Sequence, residues 1–378
     1  EPGFDDSWEL IDPHSGEVKK VVSARTLWVK LLQNRMETGE PYLMFEDAVN
    51  ADLPQFQKNK GLRVHHSNLC SEITLATNDE RTAVCCLSSV NLEYYDEWKK
   101  VPAFIPDLIR MLDNVLESFI QNAPQQLERA KFSAMRERSL GLGAMGFHAY
   151  LQKNMIPFES PIASAINYEM FDSIKSQAQN TTEQLAVERG ACPDDDSCSV
   201  RNTHLLAIAP NASSSIICGN TSPSIEPFRA NAYTQKTKSG SYLQKNKFLE
   251  ELLEKYEQNT ENTWKSIVTN KGSVQHLEFL SEEEKEVFKT AVEINQSWVI
   301  EHAAQRQEFI CQSQSVNLFF PPDVNKGELH NIHMLAWAKN MKTLYYLRSE
   351  AISRADNVSN KIKREIIFEQ QDCLSCEG

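Results

Sequence analysis

The chain has 378 residues, 41% of them hydrophobic and 24% charged, which excludes a disordered chain and allows a large buried core. At roughly 100–200 residues per domain, this length suits two domains or a single α/β barrel. The net charge of −13, from 52 acidic and 39 basic residues, argues against nucleic-acid partners but leaves room for a local phosphate pocket, and no run of about 18 apolar residues could span a membrane.

The first twenty residues read as polar and turn-rich. Ser23 then reads as the cap of a helix carrying Leu27, Trp28, Leu31, Leu32 and Met36, stopped by Gly39 and Pro41. Thr82 to Val90 is apolar and small and predicts a buried strand. Helices are expected over Pro106–Ile120, Pro161–Arg189 (stopped by Gly190), Leu249–Tyr256, Glu282–Gln307 and Leu329–Lys342. Strands are expected at His204–Ala209, Ser315–Phe320 and Thr343–Arg348. Alternating strands and helices argue for α/β architecture with parallel strands.

Nine cysteines, at positions 70, 85, 86, 192, 198, 218, 311, 373 and 376, are odd in number and scattered. That is no secreted disulfide framework and points to a reducing, cytoplasmic compartment. The chain opens on Glu1 without a signal sequence, which is expected of a fragment or of one piece of a larger protein.

Gly141-Leu142-Gly143-Ala144-Met145-Gly146 matches the dinucleotide pattern G-x-G-x-x-G, the basis of an alternative reading as a nicotinamide-dependent oxidoreductase. That pattern needs a strand immediately before it. Residues 128–138 read instead as a charged helix, so a close-packed, glycine-rich helix entry is the better expectation.

Asn68, Cys70 and Glu72 occupy alternate positions. In an extended segment these face one way, so an amide, a thiol and a carboxyl would converge. A buried structural cysteine beside surface polar residues is the plainer alternative. Cys85 and Cys86 are adjacent, so on a strand only one can share a face with Cys70. Asn211-Ala212-Ser213-Ser214-Ser215 follows a strand and opens a helix, which suits either a phosphate cradle or a serine-rich cap. Tyr345 and Tyr346 on a strand ordinarily mean packing. Cys373 and Cys376, at the end of a polar tail, lack a following βαβ unit and cannot complete a zinc site; they read best as a mobile redox dithiol. No residue grouping reads as a metal site.

Together these segments resemble the catalytic large subunit of class I ribonucleotide reductase. The resemblance rests on SNLCSE (67–72), AVCCLSS (83–89), RSLGLGAMGFHAYL (138–151), APNASSS (209–215), SIEP (224–227), TLYYLRS (343–349) and the terminal CLSCEG, in that order. It covers the chain from about Ser23 to its end. It implies a finger loop (about 60–80) and the second half of a ten-stranded α/β barrel within residues 1–368, then a redox tail at 369–378. The first half-barrel and its allosteric nucleotide site would lie on the missing N-terminal part, either cut away or supplied by a second polypeptide. Without it, the chain alone is expected to be inactive, or to be a non-catalytic half-protein.

The resemblance further implies radical reduction of a ribonucleoside diphosphate. Cys70 would carry the thiyl radical, Glu72 would act as base and Asn68 would hold the substrate. Cys85 would protonate the leaving 2′-oxygen and supply electrons, with Cys86 a departure from the family pattern. Asn211, Ala212, Ser213, Ser214 and Ser215 would bind the diphosphate. Tyr345 and Tyr346 would bring the radical in from a separate small subunit, whose di-iron or related metal generates it; no cofactor is expected on this chain. Cys373 and Cys376 would reduce the active-site disulfide and be reset by thioredoxin or glutaredoxin.

Overall fold

The computed structural model describes residues 5–237 and 240–349. The chain opens on an antiparallel hairpin, β1 (Ser7–Ile11) with β2 (Val18–Ser23), where the sequence suggested only turns. Helix α1 (Ala24–Thr38) follows. Ser23 accepts the Thr26 N–H at 3.0 Å, and Gly39 closes the helix at φ 85°, a left-handed conformation that suits glycine. A short strand, β3 (Leu43–Met44), leads to helices α2 (Glu46–Ala51) and α3 (Gln55–Asn59).

The stretch from Lys60 to Cys86 has no regular secondary structure. Strand β4 (Leu87–Asn91) starts five residues later than the apolar run at Thr82 suggested, because the Thr82 N–H is taken by the Arg129 carbonyl, not by a strand. After the short helix α4 (Tyr95–Trp98) come α5 (Phe104–Asn122) and α6 (Glu128–Glu137). Helix α5 buries Ile105, Ile109, Leu112, Leu116 and Ile120, a stripe at helical spacing.

The glycine-rich segment is corrected by the structure. Gly141–Met145 is a buried strand, β5, and only Gly146, at φ 83°, is the helix entry, capping α7 (Phe147–Lys153). Helix α8 (Pro161–Arg189) is one long element, capped by Ser160 and ended by Gly190. The segment His204–Ala209 is buried, and helix α9 (Ala212–Ile217) follows it.

A hairpin, β6 (Ala232–Thr237) and β7 (Gly240–Lys245), precedes α10 (Lys247–Lys255) and α11 (Glu261–Thr269). The single helix expected over Glu282–Gln307 is two: α12 (Glu282–Val287), held by a Ser281/Glu284 capping box, and α13 (Gln296–Gln307), capped by Asn295. Between them, Glu293 accepts from the backbone and hydroxyl of Thr290, each at 2.8 Å, which folds the break into a turn. Strand β8 (Leu318–Phe320), helix α14 (Lys326–Ala338) and strands β9 (Thr343–Leu344) and β10 (Leu347–Ser349) complete the described chain.

The parallel strands form one arc. β4 pairs with β5, and Leu142 of β5 bridges Leu206 in parallel. Ile208 bridges Gln314, and β8, just beyond Gln314, pairs with β10. The arc therefore has five parallel members, as a half-barrel requires, with β3 antiparallel against β9 at its edge. The main core packs α5, α7, α8 and α13 around this arc, and a separate cluster of Phe248, Leu249, Leu252, Leu253, Trp264 and Phe288 holds α10–α12 together. No helix among the described residues is long and apolar enough to cross a membrane.

Candidate functional site

The segment 68–72 is a tight turn, contrary to the extended reading. The Ser71 N–H returns to the Asn68 carbonyl at 3.1 Å, and Ser71 takes φ 68°. The turn still brings the expected groups together. Asn68 Oδ1 accepts the Ile73 N–H at 3.1 Å, and the Asn68 side chain also hydrogen-bonds Glu72. Leu69 points outward, 68% exposed, while Cys70 and Glu72 are buried.

The turn is anchored on the segment leading to β8. Ser313 N–H donates to the Glu72 carbonyl at 2.9 Å. The Ser315 hydroxyl donates to the Cys70 carbonyl and lies 3.4 Å from Glu72 Oε2. Ser315 is a site residue that no motif announced. Burial raises the Glu72 pKa above its ordinary value, with hydrogen bonds from Asn68 and Ser315 opposing it. A carboxylate held in this way is a better proton acceptor than a solvated one.

Tyr345 and Tyr346 lie between β9 and β10, not on a continuous strand. The Tyr345 N–H goes to the Val316 carbonyl at 2.8 Å and the Tyr346 N–H to Asn317 Oδ1 at 3.1 Å. The Tyr345 phenol is in side-chain hydrogen-bond contact with Cys70, and burial followed by Cys70 raises its pKa. The two tyrosine rings have centroids 4.4 Å apart.

A third phenol, Tyr42, completes the cluster, 4.6 Å from the Tyr345 ring and 4.8 Å from that of Tyr346. It sits 28 positions before Cys70 and outside every motif, so only the β3–β9 pairing could have revealed it. The Arg348 guanidinium stacks 4.0 Å from the Tyr346 ring centroid. Glu226, buried in the SIEP segment, accepts from Asn317 Nδ2 at 2.5 Å.

Cys85 and Cys86 precede β4 and differ in environment: Cys85 is exposed and Cys86 buried. The Cys86 thiol faces the Leu112 carbonyl of α5 at 3.5 Å, and burial pushes its pKa up to about 11. Its side chain is therefore core, which leaves Cys85 as the accessible member of the pair.

Asn211, at φ 51°, opens α9. Its amide donates to Ser89 Oγ at 3.0 Å, Ala144 O at 3.3 Å and Ala209 O at 3.2 Å, so it holds the turn on β4 and β5. Ala212 and Ser213 are exposed, Ser214 is half-buried and Ser215 is buried, its hydroxyl bonded to the Ala212 carbonyl. The first N–H groups of a helix have no intrahelical partner, so what this turn offers an anion is the backbone of Ala212–Ser214 and the hydroxyls of Ser213 and Ser214.

The glycines of β5 serve packing. A Cβ on Gly141 would meet Leu87 Cδ2 at 2.2 Å, and one on Gly143 would meet the Ala207 carbonyl at 2.5 Å. They let β5 approach its neighbours and present no turn to a pyrophosphate, which removes the ground for the nicotinamide reading. No cluster of three metal-ligating side chains occurs among the described residues. Cys373 and Cys376 lie outside those residues.

The chain matches the family described as ribonucleotide reductase, barrel domain, over residues 3–197 and 196–347. It is 49% identical over 374 residues to the ribonucleoside-diphosphate reductase large subunit of Invertebrate iridescent virus 3, covering 98% of this chain and 59% of that protein. It is 31% identical over 432 residues to the large subunit of Caenorhabditis elegans, covering all of this chain and 54% of that one. The class Id ribonucleotide reductase alpha subunit of Actinobacillus ureae superposes with a TM-score of 0.82 at 44% identity, over 86% of this chain and 61% of that one. The chain thus spans little more than half the length of these relatives. With its five-strand arc and its Cys70 turn, the chain belongs to the ribonucleotide reductase barrel-domain family.

Proposed function

We propose that this chain is the catalytic barrel portion of a ribonucleoside-diphosphate reductase large subunit. The observation that carries this reading is the contact series Tyr346–Tyr345–Cys70, ending beside Glu72 and Asn68. A chain of phenols leading to a buried thiol suits the passage of an electron, with proton movement between hydrogen-bonded partners. The oxidising equivalent would come from the metal cofactor of a separate small subunit.

Cys70, once oxidised to the thiyl, takes the 3′-hydrogen of the ribose. Glu72 receives the 3′-hydroxyl proton, and Asn68 holds that hydroxyl and the carboxylate in register. The 2′-hydroxyl leaves as water after protonation by Cys85. The two electrons come from Cys85 and a cysteine on the first half-barrel, which end as a disulfide. The Cys70 thiol then returns its hydrogen to the 3′-carbon of the product radical, which regenerates the thiyl. The Asn211–Ser215 turn receives the diphosphate through the backbone N–H groups of Ala212–Ser214 and the hydroxyls of Ser213 and Ser214. Cys373 and Cys376 reduce the disulfide by exchange and are reset by thioredoxin or glutaredoxin.

The test is reconstitution with the polypeptide that supplies the first half-barrel and with the radical-generating subunit, followed by assay of deoxynucleotide formation from a ribonucleoside diphosphate. Turnover that Cys70→Ser abolishes supports the reading. Turnover that survives this change, or its absence from the assembled wild-type enzyme, overturns it.

A further inference from the structure

We propose that Arg35 and His333 form a buried positioning pair that sets the orientation of the Tyr345 and Tyr42 phenols. The proposal rests on Tyr345 as the residue that relays the radical to Cys70, and adds two residues to that machinery.

Arg35 lies on the inner face of α1 and is 0% exposed. Among the described residues no carboxylate pairs with it. Its guanidinium donates three hydrogen bonds to neutral acceptors. Nε–H reaches His333 Nε2 at 3.1 Å, one terminal nitrogen reaches the Pro41 carbonyl, and the other reaches the Tyr345 carbonyl at 3.1 Å. Pro41 directly precedes Tyr42. One planar fork therefore fixes the spacing of two segments, 304 positions apart at Pro41 and Tyr345, that carry the phenols.

The tautomer of His333 follows from the same bonds. Its Nδ1 lies 2.7 Å from the Leu329 carbonyl, one turn back on α14. A carbonyl accepts only, so Nδ1 carries the hydrogen. Nε2 is then the lone pair that accepts from Arg35. A protonated imidazole would set N–H against N–H. Burial, followed by the Arg35 charge, lowers the His333 pKa to about 4, in keeping with a neutral ring.

Simple backbone support does not explain the arrangement. The pairing of β3 with β9, and the Leu347 N–H to Gly39 carbonyl bond at 3.0 Å, already join these segments. An unpaired buried guanidinium carries a desolvation cost that an apolar side chain of similar volume would avoid. What the fork adds is angular control at Pro41 and Tyr345. In a transfer step that depends on reacting groups being aligned, a displacement of about 1 Å costs about 10²-fold in rate.

The experiment places 3-fluorotyrosine at position 345 and, as an internal reference, at exposed Tyr256, and follows both by ¹⁹F NMR on the full chain. Arg35→Met and His333→Phe are expected to shift or broaden the 345 signal and leave the 256 signal unmoved. His333→Gln can donate to Leu329 and accept from Arg35, so it is expected to restore the parent spectrum. In the reconstituted enzyme the first two variants should lower kcat about 10²-fold with KM within a few-fold. If Arg35→Met does not fold, the two His333 variants decide the matter. An unchanged 345 signal, or equal effects of His333→Phe and His333→Gln, overturns the proposal. A disturbed signal in an enzyme whose Tyr345→Phe variant retains turnover upholds the positioning and removes the radical route instead.

Discussion

The Tyr345 phenol and the Cys70 side chain are hydrogen-bond partners although 275 positions separate them. The contact exists because the Cys70 turn hangs on Ser313 and Ser315, while the Tyr345 N–H is bonded to Val316 on the same segment. One segment thus presents the thiol and the phenol to each other. Tyr345→Phe removes the phenol oxygen and little volume, so folding should be nearly unchanged. Turnover of the reconstituted enzyme should fall to background while substrate affinity stays within a few-fold. Tyr346→Phe should behave alike. Steady-state assay with parallel binding measurements checks both, and residual turnover in either variant removes that residue from the radical route.

Glu72 is expected to set the acidic limb of the pH profile. In the proposed reading its carboxylate form is the base, and burial raises its pKa. Activity should therefore rise with pH through a value above the ordinary 4.5. In Glu72→Gln the limb should disappear, and the rate should fall by about 10²–10⁴, the usual worth of a positioned general base. Retention of the limb at the same position would assign it to another group.

Much of this site was legible as motifs, because its chemistry needs particular residue types at short spacing. Asn68, Cys70 and Glu72 lie within one turn, and the sequence pointed to their convergence while misreading its cause. An extended strand would point alternate residues together; here a left-handed Ser71 and the Asn68 carbonyl do so. What stayed hidden depends on long-range pairing. Tyr42 enters through two residues of β3, and Ser315 acts through one hydroxyl in a segment, 312–317, that carries several other polar side chains. Strand limits were similarly obscure. The apolar run from Thr82 says nothing of the Arg129 carbonyl that captures its first N–H. The glycine pattern at 141–146 misled because glycine serves close packing as well as turns, and only the neighbours tell the two apart.

That distinction can be measured. A Cβ at Gly143 would lie 2.5 Å from the Ala207 carbonyl and 3.3 Å from Ser89 Oγ. Neither neighbour can withdraw freely, since Ala207 is bonded to β5 through its own N–H and Ser89 holds Asn211. Gly143→Ala should therefore destabilise the fold by about 1–3 kcal/mol, the usual cost of overpacking. Denaturant unfolding gives the number. A dinucleotide should stabilise neither parent nor variant; stabilisation of the parent alone would reopen the cofactor reading.

The last prediction concerns Glu137, a fully buried carboxyl at the end of α6. Burial pushes its pKa up to about 7, against the opposing pull of Ser133 and Arg81. Its Oε1 accepts from Ser133 Oγ at 2.9 Å, and its Oε2 lies 3.4 Å from Gln57 Nε2. Gln57 Oε1 is buried and has no hydrogen-bond partner. A protonated Glu137 could donate to that oxygen after an amide flip; the carboxylate could not. The folded state therefore keeps its proton at a pH where the unfolded chain has lost it. With the folded pKa raised, the stability present below pH 4.5 is lost as pH rises through about 7. The full loss is on the order of 3 kcal/mol. Glu137→Gln has no proton to lose and can make the same donor contact. It should match the parent near pH 4.5 and exceed it in stability at pH 8, with the gap opening between those values. Urea unfolding across this range is the check. A difference that does not vary with pH would mean that Glu137 is ionised in the folded protein, paired with Arg81.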